Sequence, residues 1–351
     1  MIEHYIKATE LDSDDPDAWI NLGDAYYNEN DFDNAIRCYQ RAVEIYPYFS
    51  EVWNNIGLAL SMKGESDKAI EYYEKALELE PEDATVYYNI GFAYEDKEDY
   101  PNALEYYTKA LEYDPSNTDV LNNMALIYRG EKQYHMATDC YERALKINPD
   151  DSLLYNNLAI LSYDQQDYDK ALLYYKKALE LDSDNADLWC ELADILFELE
   201  NYDLAINYYK RAIEIDPLCV EALNDLGLSY NVKEKYKEAI TCFQEALEIL
   251  PDDPILYDNL GFSYYALQDY DKAVYYYKKV LLKNPNNTST RMKLGEIYCD
   301  IKRDYKKAIQ HFEKLLKLKP KNLDFCETLA FCYEKLRLYE KANKCREMSF
   351  K

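Results

Sequence analysis

A chain of 351 residues with 48% hydrophobic residues but only 8 glycines and 11 prolines is too long for one globular core, which rarely grows past roughly 250–300 residues, and too poor in loop formers for long connections. Its formal net charge of −27 opposes nucleic acid as a partner, because Lys and Arg must replace the counterions of a phosphate backbone. Nine cysteines without a Cys-x-x-Cys pair exclude a disulfide framework and fit reduced thiols, so a cytoplasmic location is expected.

The N-terminus, acidic and without an apolar core, does not read as a signal peptide. No run of about 18 apolar residues follows, so no membrane span is expected. Met1 to Leu11 carries Ile2, Tyr5, Ala8 and Leu11 at helical spacing. It reads as the second helix of a two-helix unit, and residues 1–15 are taken as an N-terminal capping helix. Either this helix serves as a cap, or the chain is part of something longer.

From Pro16 a period of 34 residues runs along the sequence. Trp19 and Trp53 are one period apart, and Trp189 lies five periods from Trp19. With Pro16 as position 1, position 20 is Ala throughout: Ala35, Ala69, Ala103, Ala137, Ala171, Ala205, Ala239, Ala273, Ala308 and Ala342. Position 8 is always Gly or Ala and holds six of the eight glycines. Position 32 is Pro except at Ser183, with Pro320 the last. Positions 4, 7, 8 and 11 form one apolar stripe, and 17, 20, 21, 24, 27 and 28 form another, so each period predicts an antiparallel helix pair. Glycine costs a helix about 0.5–1 kcal/mol relative to Ala, so its recurrence opposite an all-Ala column predicts a close crossing of two helix backbones. The proline cannot continue the second helix. The periods are 16–49, 50–83, 84–117, 118–151, 152–185, 186–219, 220–253, 254–287 and 288–322, the last with one residue inserted near Ile301 to Asp304. A final repeat, 323–351, turns polar at Asn343, Arg346 and Ser349, as a solenoid cap should.

Trp19-x-x-Leu22-Gly23-x-x-Tyr26, followed by Ala35, Tyr39, Ala42 and Pro47, resembles the tetratricopeptide repeat signature, and the likeness extends over nearly the whole chain. It implies an all-α fold, an α-solenoid wound as a right-handed superhelix, that binds other proteins. In that family positions 2, 5, 6, 9, 12 and 13 of the first helix line the concave face.

Position 6 reads Asn21, Asn55, Asn89, Asn123, Asn157, Glu191, Asp225, Asn259 and Lys293. Asn is a poor helix-interior residue, and a carboxamide can pair with a peptide unit in either sense. The column is similar to the asparagine ladders of the tetratricopeptide arm of the nucleocytoplasmic O-GlcNAc transferase and of kinesin light chains. Either it tracks a bound backbone, or it belongs to the repeat consensus and serves local hydrogen bonds. Position 9 adds an apolar strip, Leu58, Phe92, Leu126 and Ile160, and a shorter one, Leu228 and Phe262; position 12 adds Tyr27, Tyr163, Phe197 and Tyr265. Apolar strips with polar rims mark interaction sites, although some of these side chains could instead pack on a neighbouring helix.

These columns predict a scaffold that holds an extended protein or peptide segment, basic or neutral because residues 1–290 carry a net charge of −34 against +7 for 291–351. The alternatives are a targeting arm of a larger enzyme and an architectural subunit. The carboxylate clamp of chaperone-binding relatives is not expected, since position 5 carries no Lys or Arg. The three histidines (His4, His135, His311) form no metal spacing, and no nucleotide-binding loop is present, so neither a cofactor nor catalysis is expected.

Overall fold

The structure is a computed structural model that describes residues 2–318 and 323–349, with side chains to residue 347. The expectation for Pro320 lies outside the described residues, and that for Ser349 outside the described side chains. The described chain is all helix and turn, and it divides into two compact units, Met1–Leu181 and Asp182–Lys351.

The first unit holds α1 (Ile2–Leu11) and five helix pairs: α2 (Pro16–Asn28) with α3 (Phe32–Ile45), α4 (Ser50–Met62) with α5 (Ser66–Leu79), α6 (Ala84–Asp96) with α7 (Tyr100–Tyr113), α8 (Thr118–Gly130) with α9 (Tyr134–Ile147), and α10 (Ser152–Asp164) with α11 (Tyr168–Leu181). The second holds α12 (Ala186–Glu198) with α13 (Tyr202–Ile215), α14 (Val220–Val232) with α15 (Tyr236–Ile249), α16 (Pro254–Ala266) with α17 (Tyr270–Lys283), α18 (Thr288–Glu296) with α19 (Tyr305–Leu318), and α20 (Leu323–Lys335) with α21 (Tyr339–Ser349). In each pair the first helix is termed A and the second B. The pairs are tandem units of an α-solenoid.

Helix ends follow from local chemistry. Asp15, Asp83, Asn117, Asp151, Asn185, Asp253 and Asn287 cap A helices by accepting from backbone N–H groups of the first turn. Nine of the ten A helices end in a left-handed residue at position 15, only one of them glycine, and in α18 the insertion moves that residue to Arg303. Asn30, Glu98, Lys132, Gln166, Glu200, Glu234 and Gln268 all have φ near +60°, as does Gly64 at 73°. The turn is closed by paired bonds such as Asp31 N–H to Tyr26 O and Asn30 N–H to Tyr27 O, both 2.9 Å, which satisfy carbonyls the helix leaves open. The residue inserted in the ninth repeat is absorbed by a π-helical turn, Ile297–Ile301, at the end of α18.

The alanines of position 20 are fully buried. The glycines, however, answer to a different neighbour from the one expected. A Cβ on Gly23, Gly57, Gly91 or Gly261 would lie 2.4–2.5 Å from the ring of Tyr39, Tyr73, Tyr107 or Tyr277. Gly227 meets Phe243 in the same way. Position 8 is small to seat the buried position-24 ring, not to let two backbones cross. Successive A helices also touch, α4 with α6, α12 with α14 and α14 with α16, whereas no two described B helices pack as closely. Within each unit the A helices therefore line the inner side.

Candidate functional site

Position 6 turns inward in both units, and most of its amides are already engaged. The Nδ2 of Asn89 donates to Asn54 Oδ1 at 2.8 Å, Asn157 to Asn122 Oδ1 at 2.7 Å, and Asn259 to Asn224 Oδ1 at 2.8 Å. Each bond joins position 6 to position 5 of the preceding repeat. Lys293 makes the same link to Asp258 at 2.9 Å. Asn123 donates to the hydroxyls of Tyr88 and Tyr107, and Asn21 to the Asp17 carbonyl of its own helix. The column thus stitches neighbouring A helices together. Asn55 differs: position 5 of its preceding repeat is Ile20, which offers no acceptor. Sequence reasoning missed this register, although the 35-residue spacing from an amide to a polar position 5 was available as its signal.

Position 9 divides by chemistry. Phe92 and Phe262 stand 43% and 44% exposed on the inner side, Leu126 is also exposed, and Leu58, Ile160 and Leu228 are half-buried. Where the column is Asp it serves the core instead: Tyr39 Oη donates to Asp24 at 2.7 Å and Tyr209 Oη to Asp194 at 2.5 Å. The position-12 aromatics pack edge-to-face on the aromatic of position 17, in Tyr27–Phe32, Tyr163–Tyr168, Phe197–Tyr202 and Tyr265–Tyr270, with centroids 5.3–5.7 Å apart. They are fixed in place, and one edge of each remains open.

These side chains gather in two clefts. In the first unit Asp24, Tyr27, Asn28, Tyr39, Asn55 and Leu58 bound about 230 Å³. In the second a larger cleft of about 340 Å³ is lined by Phe197, Leu228, Val232 and Phe262, with Asn231, Asn259 and the Lys293–Asp258 pair. Asp225, one turn before Leu228, is pushed up to about 6 by burial and by Asp194 beside it. A positive group placed there would relieve that repulsion. Tyr163 and the strip Phe92–Leu126–Ile160 belong to the first unit and join neither cleft as a set, although Leu126 lines a third hollow with Arg129 and Asp164.

A second feature, unforeseen from sequence, lies on the other edge of the pairs of repeats two, three, five and eight. The position-4 ring meets the position-23 ring, with a Lys from position 26 above them. Lys75 stands 4.9 Å from the Trp53 centroid and 4.5 Å from that of Tyr72. Lys109 over Tyr106, Lys177 over Tyr155 and Lys279 over Tyr257 repeat the arrangement. The position-4 donor also ties back to the preceding turn: Trp53 Nε1 donates to Pro47 O at 2.8 Å and Trp189 Nε1 to Ser183 O at 3.0 Å. Lys or Arg recurring at position 26 was the available signal.

All nine cysteines are free thiols. No group of three or more His, Cys, Asp or Glu side chains among the described residues is placed to hold a metal, and no described helix is long and apolar enough to cross a membrane. A search of the curated proteins finds no match. Among solved structures, the C-terminal part of a tetratricopeptide repeat-containing protein of Cytophaga hutchinsonii aligns at TM-score 0.61 and 21% identity, over 69% of this chain and 99% of that one. One from Parabacteroides merdae aligns at 0.52 and 17%, over 71% and 98%. Pseudomonas aeruginosa pilF aligns at 0.50 and 23%, over 61% and 96%. These likenesses speak for the fold alone. Tetratricopeptide repeat family models match residues 16–49, 50–83, 84–117, 117–184, 190–254, 254–287 and 288–322. Repeat after repeat, the chain belongs to the tetratricopeptide repeat family.

Proposed function

We propose that the protein is a non-catalytic scaffold that works in a reducing compartment such as the cytosol, and that the second unit's cleft holds an extended, basic or neutral protein segment. The observation that carries this reading is the open face of Phe262 beside Leu228 and Phe197, on helices whose core duties are met by other columns. An apolar side chain of the partner fills the space between those three. The carboxylates of Asp194 and Asp225 attract a Lys or Arg one turn away, and Asn231 and Asn259 offer carboxamides to a backbone. The free amide of Asn55, beside Leu58 and Tyr27, makes a smaller contact of the same kind in the first unit.

Peptides selected from a random display library on the whole chain provide the test, with binding measured by fluorescence anisotropy. Selected sequences are expected to combine an aromatic or aliphatic residue with Lys or Arg. A buried anchor contact is worth about 2 kcal/mol or more, so Phe262→Ala should weaken binding by roughly thirtyfold, and Leu228→Asn should act in the same direction. Full affinity in both variants would remove the cleft from the mechanism.

A further inference from the structure

In the ninth repeat the edge platform changes its chemistry while keeping its geometry. Columns 4, 23 and 26, an aromatic pair under a Lys in repeats two, three, five and eight, here carry Arg291, His311 and Lys314. Arg291 takes the place of Trp and makes the same tie, its guanidinium donating to the Pro285 carbonyl. It is only 6% exposed, and its Nε is buried without a hydrogen-bond partner. The Nδ1 of His311 is likewise buried and unpartnered. His311 stacks on Tyr298, centroids 5.7 Å apart, and Lys278 of α17 and Lys307 of α19 stand 6.0 and 5.3 Å from the same ring. Tyr298 sits in the π-helical turn. Only Lys307 has a carboxylate, Asp304 at 2.8 Å; Lys278, Arg291 and Lys314 form no ion pair among the described residues.

In a chain of net charge −27, such a gathering of cations from three helices without counter-charge needs an explanation. Burial above all, and then the neighbouring charges of Arg291, Lys314 and Lys278, hold the His311 imidazole well below the ordinary range, at about 4. The imidazole is therefore neutral at pH 7, and it can donate one N–H without adding to the repulsion. We propose that Arg291, His311 and Lys314, with Lys278 at the rim, form a binding site for a phosphoryl dianion. A tetrahedral dianion accepts from a guanidinium, an imidazole N–H and two ammonium groups at once, which a halide cannot do, and it neutralises two of the unpaired charges. Free phosphate and a phosphorylated side chain present the same three oxygens.

The test follows the His311 imidazole by NMR during pH titrations of the full chain. Inorganic phosphate and a short phosphoserine peptide are compared with sodium chloride at equal ionic strength. A bound dianion favours the imidazolium, so the His311 midpoint is expected to rise by about one pH unit or more. The response should saturate with phosphate concentration, and at fixed pH the His4 and His135 resonances should not respond to added phosphate. A response to inorganic phosphate alone assigns a free ion, and a stronger one to the peptide assigns a modified protein. Arg291→Trp restores the residue found at Trp19, Trp53 and Trp189, so it should fold and keep its melting temperature in chloride. It should lose phosphate affinity by about tenfold or more, and so should Lys314→Ala. An equal response to chloride, or unchanged phosphate affinity in Arg291→Trp, would overturn the assignment.

Discussion

One substitution made at two points of the same column should have opposite signs. Asn89→Ala removes a 2.8 Å hydrogen bond to Asn54, and Asn89 is 8% exposed. A neutral bond of this kind nets about 0.5–1.5 kcal/mol, and stranding the half-buried Asn54 acceptor adds to the cost, toward about 1–3 kcal/mol. Replacing Asn by Ala in a helix returns up to about 0.7 kcal/mol. The balance is a loss of about 1 kcal/mol. Asn55→Ala breaks no such bond, because Ile20 occupies the acceptor's place. Only the helix term remains, and stability should rise by about 0.5 kcal/mol.

Repeat arrays do not unfold as one two-state unit, so the measurement should be native-state hydrogen exchange of amides in α4 and α6, which reports local opening. A double-mutant cycle with Asn54→Ala isolates the pair, and a coupling of about 0.5–1.5 kcal/mol is expected. If Asn55→Ala costs as much as Asn89→Ala, the column is not held by these inter-repeat bonds. The contrast also bears on binding. Removing Asn55, Asn89, Asn123 and Asn157 together would weaken the array itself, so Asn55→Ala alone is the clean probe of a ligand contact.

Three further outcomes are expected. Gly64, at φ 73°, should lose about 1 kcal/mol as Ala, because an L residue pays about that for the left-handed region, while Lys132→Gly should be neutral or stabilising in the same chemical denaturation series. Ala103→Leu inserts three carbons at a fully buried site and should cost about 1–3 kcal/mol, with accelerated exchange confined to α6, α7 and their neighbours; uniform loss of protection along the chain would contradict it. Asp225 titrates at about 6 when folded, against an ordinary 3.8, so the folded state holds its proton more tightly and stability falls as pH rises between those values. Asp225→Asn should therefore melt higher than the parent chain near pH 8, with the gap closing below about pH 4, and a gap independent of pH would refute the burial argument.

The helices were legible because their cause is periodic: Ala103, Tyr107 and Ala110 recur at helical spacing, and a 34-residue period fixes which faces are covered. The left-handed residues were not legible, because Glu98 and Lys132 carry none of glycine's signal; the closing bonds of the turn impose the conformation. The role of glycine at position 8 was read wrongly because its neighbour, the position-24 ring, is a side chain of the partner helix that no local pattern reveals. At position 9, Asp24 and Asp194 depart from the apolar strip for a reason that no local pattern reveals. They are the acceptors that buried tyrosine hydroxyls require, since an unpaired hydroxyl there would cost about 1–3 kcal/mol.

The exceptions to each column therefore divide into two kinds, and energetics separates them. Asp24 and Asp194 change a residue and gain a bond, so they stabilise the repeat that contains them. Ile20 and Arg291 change a residue and leave something unmet: the amide of Asn55 in one case, the Arg291 Nε among unpaired cations in the other. A repeat array supplies its own control, because neighbouring periods show what the same backbone does with the consensus side chain. Restoring the consensus should weaken the array at exceptions of the first kind and spare or strengthen it at those of the second. Asp194→Leu would strand the Tyr209 hydroxyl and should destabilise α12 and α13 by about 1–3 kcal/mol. Arg291→Trp removes a buried guanidinium that burial itself disfavours, so it should leave the repeat at least as stable as before. A loss of stability at Arg291→Trp comparable to that at Asp194→Leu would mean that both exceptions serve packing, and that neither is kept for a ligand.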